Sequence, residues 1–374
     1  MDTIDEAPRS TPIACEVDLC VIGGSCTGVY AAVRAARLGY RVAVVELHNC
    51  FGGVSTARLV NVWHSLYDTV GERQIIAGLT AEVTARLDRR GAVIERPPGS
   101  PGHEHWQFCF NSAELAIELD ALVGEHDRIR PFLHARAVAA IGGDGHCEAV
   151  IIEDKTGRRA IRAAAFVDAT GDGDLVRRFG LATHQTELLQ PPTMAAIVEC
   201  DQELARSGGG LAQAVYDEDN PHHLERGFLW SAPVPGSRHC RLVFGTRVHG
   251  VDCSDADQLT AAEIEGRRQV RQMLDAIRHR WGADAAGLVA LPACIGIRET
   301  HHAVCRHRLT QSEVLEGERF DDAIANGSYR VDVHHQGGGG LTFRYLDGRE
   351  VELMVDPDIP TEERRWREPR DRDP

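Results

Sequence analysis

The residues with the clearest chemical purpose lie near the N-terminus. Gly23-Gly24-Ser25-Cys26-Thr27-Gly28 follows a short apolar run, Val17 to Ile22, and leads into an alanine-rich stretch, Thr27 to Leu38, closed by Gly39. Strand, glycine turn and helix in that order make an anion site. Gly23 permits the tight exit from the strand, and Gly28 lets the helix lie close to the sheet. The helix N-terminus, with its free amides and the positive end of its dipole, suits a pyrophosphate. Ser25 stands where a GxGxxG pattern has its middle glycine. It is small, and its hydroxyl could itself contact phosphate. Glu46 ends the next apolar strand, Arg41 to Glu46, about 20 residues on, where a carboxylate accepts hydrogen bonds from a ribose diol. The plainer reading is a glycine turn and a surface glutamate. The setting between strand and helix weighs against it.

Two further segments choose between dinucleotides. Cys50-Phe51-Gly52-Gly53-Val54-Ser55-Thr56 places a second glycine pair just past the ribose-binding strand. A nicotinamide dehydrogenase has no use for it, whereas the longer body of FAD needs contacts beyond the first crossover. Asp168-Ala-Thr-Gly-Asp-Gly-Asp174 would return the chain to the C-terminal edge of the sheet, where ligands bind in open α/β folds. Its bland alternative is a glycine-rich turn with solvated aspartates.

These residues need elements to hold them. Residues 130–167 alternate in three segments separated by GGDG and KTG, which predicts a three-stranded meander. Its last strand runs into Asp168, and a helix is expected from Asp174. Helical patterns occupy Glu72 to Arg90 and Ser112 to Glu125. Beyond Pro191-Pro192, strand-like pieces (TMAAIVEC, HCRLVFGTRV) flank one strong helix, Asp255 to Trp281. The expected fold class is α/β: a Rossmann-type FAD-binding domain with a β-meander over 1–190, plus an inserted mixed α+β substrate domain over 191–336. Gly337 to Gly340 and the charged run from Glu362 to Pro374 predict a flexible tail over 337–374.

Composition narrows the partners. With 56 acidic against 41 basic residues, the chain carries a formal net charge of -15. Such a surface repels nucleic acid and anionic membranes. No apolar run approaches the roughly 20 residues that cross a bilayer. No secretory signal opens the chain, so a cytoplasmic protein acting on a small-molecule substrate is expected. The 11 cysteines are scattered, without a CxxC. A disulfide framework, a zinc site and an iron–sulfur cluster therefore lack spaced ligands, and no metal is expected.

VIGGSCTGVYAAVRAARLGYRVAVVE, CFGGVST and FVDATGDGDL resemble the FAD-dependent oxidoreductases of the glutathione-reductase-like flavoprotein superfamily, above all the bacterial FAD dependent oxidoreductase family. The later segment IGIRETHHAVCRHRLTQSEVLEGERFDDAIANGSYRVDVH is similar to the same family. The resemblance implies FAD as cofactor. Gly23, Gly24, Ser25 and Gly28 would meet the pyrophosphate and Glu46 the adenosine ribose. Gly52, Gly53, Ser55 and Thr56 would lie along the ribityl chain and flavin. Ala137 would offer its backbone to adenine, and Thr170, Gly171 and Asp172 would lie by the dinucleotide. The family's closing strand, reading like LLVAGR, and its glycine-rich helix are not found after Tyr345–Gly348. The nucleotide sheet is thus expected to lack one strand. A truncated copy is the leading explanation for the missing segment, and a non-catalytic remnant is the rival functional reading.

Catalytic groups are less legible, because a flavin performs the electron chemistry itself. Arg298 could orient an anionic substrate or balance reduced flavin, or simply pair with Glu299. His64 follows the flavin-side loop and could reach a substrate. His301 and His302 would alternate across a strand and could not jointly grip a metal. Cys50 has no second cysteine two or four residues away with which to form a redox pair.

Overall fold

Leu19 to Ile22 and Val42 to Val45 are runs of four apolar residues, long enough for a strand and too uniform for one with a wet face. In the structure, a computed structural model, they are neighbouring parallel strands in register from Leu19–Val42 to Ile22–Val45. The structure describes residues 2–64, 66–69, 71–96, 107–200, 211, 214–215, 217, 219–224, 229–335 and 340–353.

The elements in chain order are β1 (Ile13–Ile22), α1 (Cys26–Arg37), β2 (Val42–Val45), β3 (Val62–His64), α2 (Leu79–Arg89), β4 (Val93–Arg96), β5 (Gln107–Phe110), α3 (Ser112–Gly124), β6 (Ile129–Phe132), β7 (Arg136–Gly143), β8 (His146–Asp154), β9 (Gly157–Asp168) and α4 (Asp174–Arg178). They continue with β10 (Thr183–His184), β11 (Ala195–Cys200), β12 (Trp230–Pro233), β13 (Cys240–Phe244), α5 (Ala256–Trp281), β14 (Ala286–Ala290), β15 (His302–Ala303), α6 (Gln311–Glu316), β16 (Val331–His334), β17 (Leu341–Arg344) and β18 (Glu350–Leu353). The chain divides into two compact units, Met1–Gly53 with Leu119–Thr183, and Val54–Glu118 with His184–Pro374.

The first unit is built on one sheet ordered β6-β2-β1-β9-β8-β7. Its first four strands run parallel. Helix α1 buries Val29, Ala32, Val33 and Ala36, the i, i+3, i+4, i+7 stripe that its sequence shows. Arg34 and Arg37 sit in its last turn, where the dipole favours cations. The expected meander is β7-β8-β9, joined antiparallel. Strand β9 is long enough to serve two partners. Gly157–Arg162 pair with β8, and Ala160–Asp168 pair with β1. Beyond Arg162 the β8-side edge of β9 carries no strand among the described residues.

The second unit is mixed α+β. A four-stranded antiparallel sheet, β12-β13-β11-β14, lays one face on α5. Val270, Met273, Leu274 and Ile277 of the helix pack there on Met194, Ala196, Val198 and Val243. Gly266 of α5 is required by this contact, since a Cβ would stand 2.8 Å from the Met194 Cβ. The other face meets Leu59, Val60 and Trp230. Two smaller sheets, β3-β5-β4 and β16-β17-β18, also belong to this unit.

Three expectations need correction. The first domain is not continuous over 1–190: residues 54–118 belong to the second unit. Val62 and Cys109 pack on Ala232 and Trp230, and the Asn61 and Asn111 amides donate to the carbonyls of Pro233 and Pro235. The helix expected from Glu72 begins at Leu79, because Glu72 closes a turn on the Asp68 carboxylate and Gly78 is the N-cap. Within the expected tail, β17 and β18 are paired strands whose Leu341, Phe343, Tyr345 and Val351 form a small core. Residues 337–339 and the charged run from Glu362 lie outside the described residues.

Candidate functional site

The turn after β1 is packed tightly enough to explain its glycines. Gly23 has φ +99, a region that side chains avoid, and a Cβ there would lie 2.3 Å from the Ala169 carbonyl oxygen. A Cβ on Gly24 would strike the Phe51 ring at 2.5 Å and the Glu46 Cβ at 2.8 Å. One on Gly28 would stand 1.9 Å from the Gly23 oxygen. Helix α1, the strand exit and the loop after β9 thus meet at backbone contact.

Ser25 is the N-cap of α1. Its Oγ accepts from the Gly28 amide at 3.2 Å and donates to the Ala169 carbonyl at 3.3 Å. Its hydroxyl thus has partners inside the turn itself.

Glu46 is buried. Its Oε2 accepts from the Gly24 amide at 2.7 Å and its Oε1 from the His48 amide at 2.8 Å. Each oxygen retains a lone pair for a ligand hydroxyl. The glycine pair closes on the same turn. The Gly52 amide donates to the Gly24 carbonyl at 2.8 Å, and Gly53 lies against Ser25. Ser55 and Thr56 follow in sequence but belong to the second unit, where both are buried and the Ser55 Oγ accepts from the Trp63 indole at 3.2 Å.

Asp168 organises the loop that carries Thr170, Gly171 and Asp172. Its Oδ1 accepts from the Thr170 amide and hydroxyl, at 3.1 and 2.6 Å. Its Oδ2 accepts from the Leu175 and Val176 amides at the start of α4. Thr170 Oγ1 in turn accepts from the Asp172 and Asp174 amides. The loop is a knot of backbone donors turned onto two side chains, not a run of solvated aspartates.

Ala137 is buried in the β7–β8 ladder opposite Ile152, where the register slips by one residue. The residues against the Glu46 segment are instead His134 and Ala135, whose amides donate to the carbonyls of His48 and Glu46. Sequence reasoning missed this pair. Alternation marks the strand that follows them but not the bend before it.

The second unit holds the two catalytic candidates. His64 of β3 stacks on Tyr329 at 5.0 Å between ring centroids. Arg298 does not pair with Glu299. That carboxylate accepts from Thr186, His302 and the Gln190 amide. Burial acts to raise the Glu299 carboxyl, and these donors outweigh it and hold it low. The Arg298 Nη2 donates to Thr193 Oγ1 at 3.1 Å. Desolvation lowers the affinity of Arg298 for its proton, opposed by the charge of Asp332.

Asp332 and His334 are two apart on β16. His334 Nδ1 accepts from Arg247 Nη2 at 3.0 Å, so its proton sits on Nε2, which points at Asp332 Oδ1 from 3.4 Å. That approach is too poorly aligned for a hydrogen bond, and Oδ1 is buried without one. Burial, reinforced by Arg298 and Arg247, pushes His334 down to about 2, so the ring is neutral. Burial raises the Asp332 carboxyl, while Arg298, Arg330 and Arg247 pull it back. Strand β16 and its lead-in are the part of this site that the sequence concealed. The signal was present as two-residue spacing, Arg330, Asp332, His334, on one strand face.

The other histidines have separate partners. His301 bonds Ser254, His302 lies on Glu299, and His307 lies on Glu313. Among the described residues no three metal-capable side chains cluster.

Residues 18–356 match the model of the FAD dependent oxidoreductase family. The chain is 24% identical over 228 residues to the mitochondrial dihydrolipoyl dehydrogenase of Schizosaccharomyces pombe, covering 58% of this chain and 38% of that protein. It spans, then, well under half the length of that curated relative. Among solved structures, it is similar to p-nitrophenol 4-monooxygenase PnpA from Pseudomonas putida DLL-E4, with 14% identity, a TM-score of 0.49, and 79% of this chain and 71% of that one covered. A geranylgeranyl bacteriochlorophyll reductase-like protein from Thermoplasma acidophilum gives 17%, 0.47, 78% and 67%. The match over nearly the whole chain, a span that takes in the glycine turn, buried glutamate and knotted aspartate loop described above, shows that the chain belongs to the FAD dependent oxidoreductase family.

Proposed function

We propose that this chain binds FAD at the turn between β1 and α1 and uses it to exchange a hydride or electrons with a small organic molecule. One observation carries the reading. The Gly23–Gly28 turn, the Glu46 carboxylate and the Ala169–Asp174 loop meet through short contacts at the C-terminal end of four parallel strands. That is where an open α/β sheet binds a dinucleotide.

The residues present fit the cofactor. First-turn amides of α1 would hold the pyrophosphate. The second lone pairs of Glu46 would take the ribose hydroxyls, and His134 and Ala135, beside the Glu46 segment, would line the adenine with the expected Ala137 behind them. Gly52 and Gly53 offer backbone without side chains for the ribityl chain. Thr170, Gly171 and Asp172 close the other side. When bound, the flavin supplies the redox chemistry, and the protein supplies position and electrostatics. The substrate-side candidates are His64 and Arg298. A cytoplasmic setting belongs to the same proposal, supported by 11 cysteines that are all free thiols. No described helix is long and apolar enough to cross a membrane.

The test is the absorption spectrum of the purified chain, followed by denaturation and identification of whatever is released. A flavin spectrum and one FAD per chain are expected. A colourless protein that cannot be reconstituted with FAD, or one that releases a nicotinamide dinucleotide, would overturn the reading.

A further inference from the structure

The β16–β17 hairpin of the second unit presents an unbalanced set of charges on one face. Register places Asp332 opposite Phe343 and His334 opposite Leu341, so these residues, with Arg330 and Tyr345, share that face. The Arg330 guanidinium lies 3.5 Å over the Phe343 ring and donates to the Tyr345 hydroxyl at 3.1 Å, and its Nε is buried without a partner. Arg247, also buried, donates to the Gly340 carbonyl and to His334. Arg298 donates to Thr193. The charges of three guanidiniums thus act on one carboxylate, Asp332, and the neutral His334 does not add to the negative side. Among the described residues, no carboxylate lies within 4.0 Å of Arg298 or Arg330. The nearest in sequence, Glu299, is taken by Thr186, Gln190 and His302.

Arg298 differs from the other two. Its side chain is exposed to solvent, yet protein crowds it enough for desolvation to disfavour its charge. Thr193 holds one of its nitrogens and leaves the rest of the fork open. A partly desolvated cation with no carboxylate in ion-pair range is costly unless an anion completes it. We propose that Arg298, backed by the fields of Arg330 and Arg247, binds the carboxylate of a small organic acid. A single open guanidinium fork matches the two oxygens of a carboxylate. Thr193 is a positioning residue that fixes the fork. Naming this acid the substrate rests on the oxidoreductase reading; the binding itself does not.

The test is calorimetric titration of the full chain with succinate and benzoate, with inorganic phosphate as the competing anion. Saturable binding of a carboxylate is expected, weakened at least about tenfold in Arg298→Ala and partly restored in Arg298→Lys, which keeps charge but not the fork. Arg268→Ala, which removes an exposed ion pair with Glu265 on α5, should bind as the parent does. Thermal melts establish that each variant is folded. If Arg298→Ala were unfolded, Arg298→Lys would decide, with unchanged carboxylate affinity counting against the proposal. No saturable carboxylate binding, preference for phosphate, or undiminished binding in Arg298→Ala would overturn it. Carboxylate binding that depends on Arg298 in a chain unable to take up FAD would sink the flavin reading and leave this site standing.

Discussion

Replacing Gly28 with alanine puts one methyl group 1.9 Å from the Gly23 carbonyl oxygen and 3.2 Å from the Ala169 Cβ. Gly28 lies inside α1, where alanine is the better helix former by about 0.5–1 kcal/mol, so backbone preference favours the variant. Contact decides against it. Real Cβ atoms essentially never come within 3.0 Å of such a neighbour, so the turn must retreat by more than about 1 Å. Overpacking of this kind costs about 1–3 kcal/mol, and the atom displaced here is backbone, which places the cost at the upper end. The net expectation is a loss of about 2 kcal/mol in urea denaturation with an unchanged m-value. The retreat also carries first-turn amides away from the pyrophosphate. Losing one hydrogen bond to a charged group is worth about 1.5–3 kcal/mol, or roughly 10–100-fold in FAD affinity. Fluorescence titration of the flavin-free chain measures it. Gly39→Ala is the control, at φ +96 but in open space. It should cost about 1 kcal/mol of stability and leave FAD affinity unchanged. If Gly28→Ala matched the parent in both midpoint and affinity, close approach of helix to strand would not be what the glycine provides.

Glu46→Gln replaces one of two buried acceptors with an amide donor facing a backbone N–H. It should cost about 2–4 kcal/mol even without flavin, measured by denaturation of the flavin-free chain, and parent-like stability would show that the Gly24 and His48 contacts carry no weight. Asp168→Ala removes the acceptor of four hydrogen bonds. It should speed amide exchange at Leu175 and Val176 and accelerate FAD release, and unchanged protection there would refute the knot. His334 is held near 2, below its ordinary 6.5, so on acidification the unfolded chain takes up a proton that the native chain refuses. Its contribution is intact above pH 6.5 and is lost as pH falls toward 2, with a slope of at most about 1.4 kcal/mol per pH unit. Urea midpoints at pH 7.5 and pH 5 should converge in His334→Gln relative to the parent, and equal acid sensitivity in both chains would count against burial of a neutral ring.

The glycine turn between β1 and α1 was legible because everything in it is local. The apolar run of β1, the glycines, the alanine stripe of α1 and Glu46 lie within about 30 residues, and each follows from a backbone or burial requirement that sequence states directly. The meander and the Asp168 loop were legible for the same reason. Turn residues punctuate alternation, and the fourth parallel strand is the meander's own last strand.

Other features depend on groups that are distant in the chain. Ser25 was read against a phosphate alone, whereas its hydroxyl also has a partner in the Ala169 carbonyl, 144 positions away. Arg298 and Glu299 looked like a pair as neighbours, yet they have different partners because adjacent side chains leave the backbone in different directions. Residues 54–118 read as part of the first domain because nothing in their pattern names the Trp230 and Ala232 surface that they cover. Periodicity reports which face of an element is dry, but not what it is dry against. The sequence alone therefore determined the strand, glycine turn and helix framework of the first unit. The tertiary structure alone decided which buried charges face one another, since a charge is balanced by whatever lies across a few ångströms of space, however far along the chain that group was made.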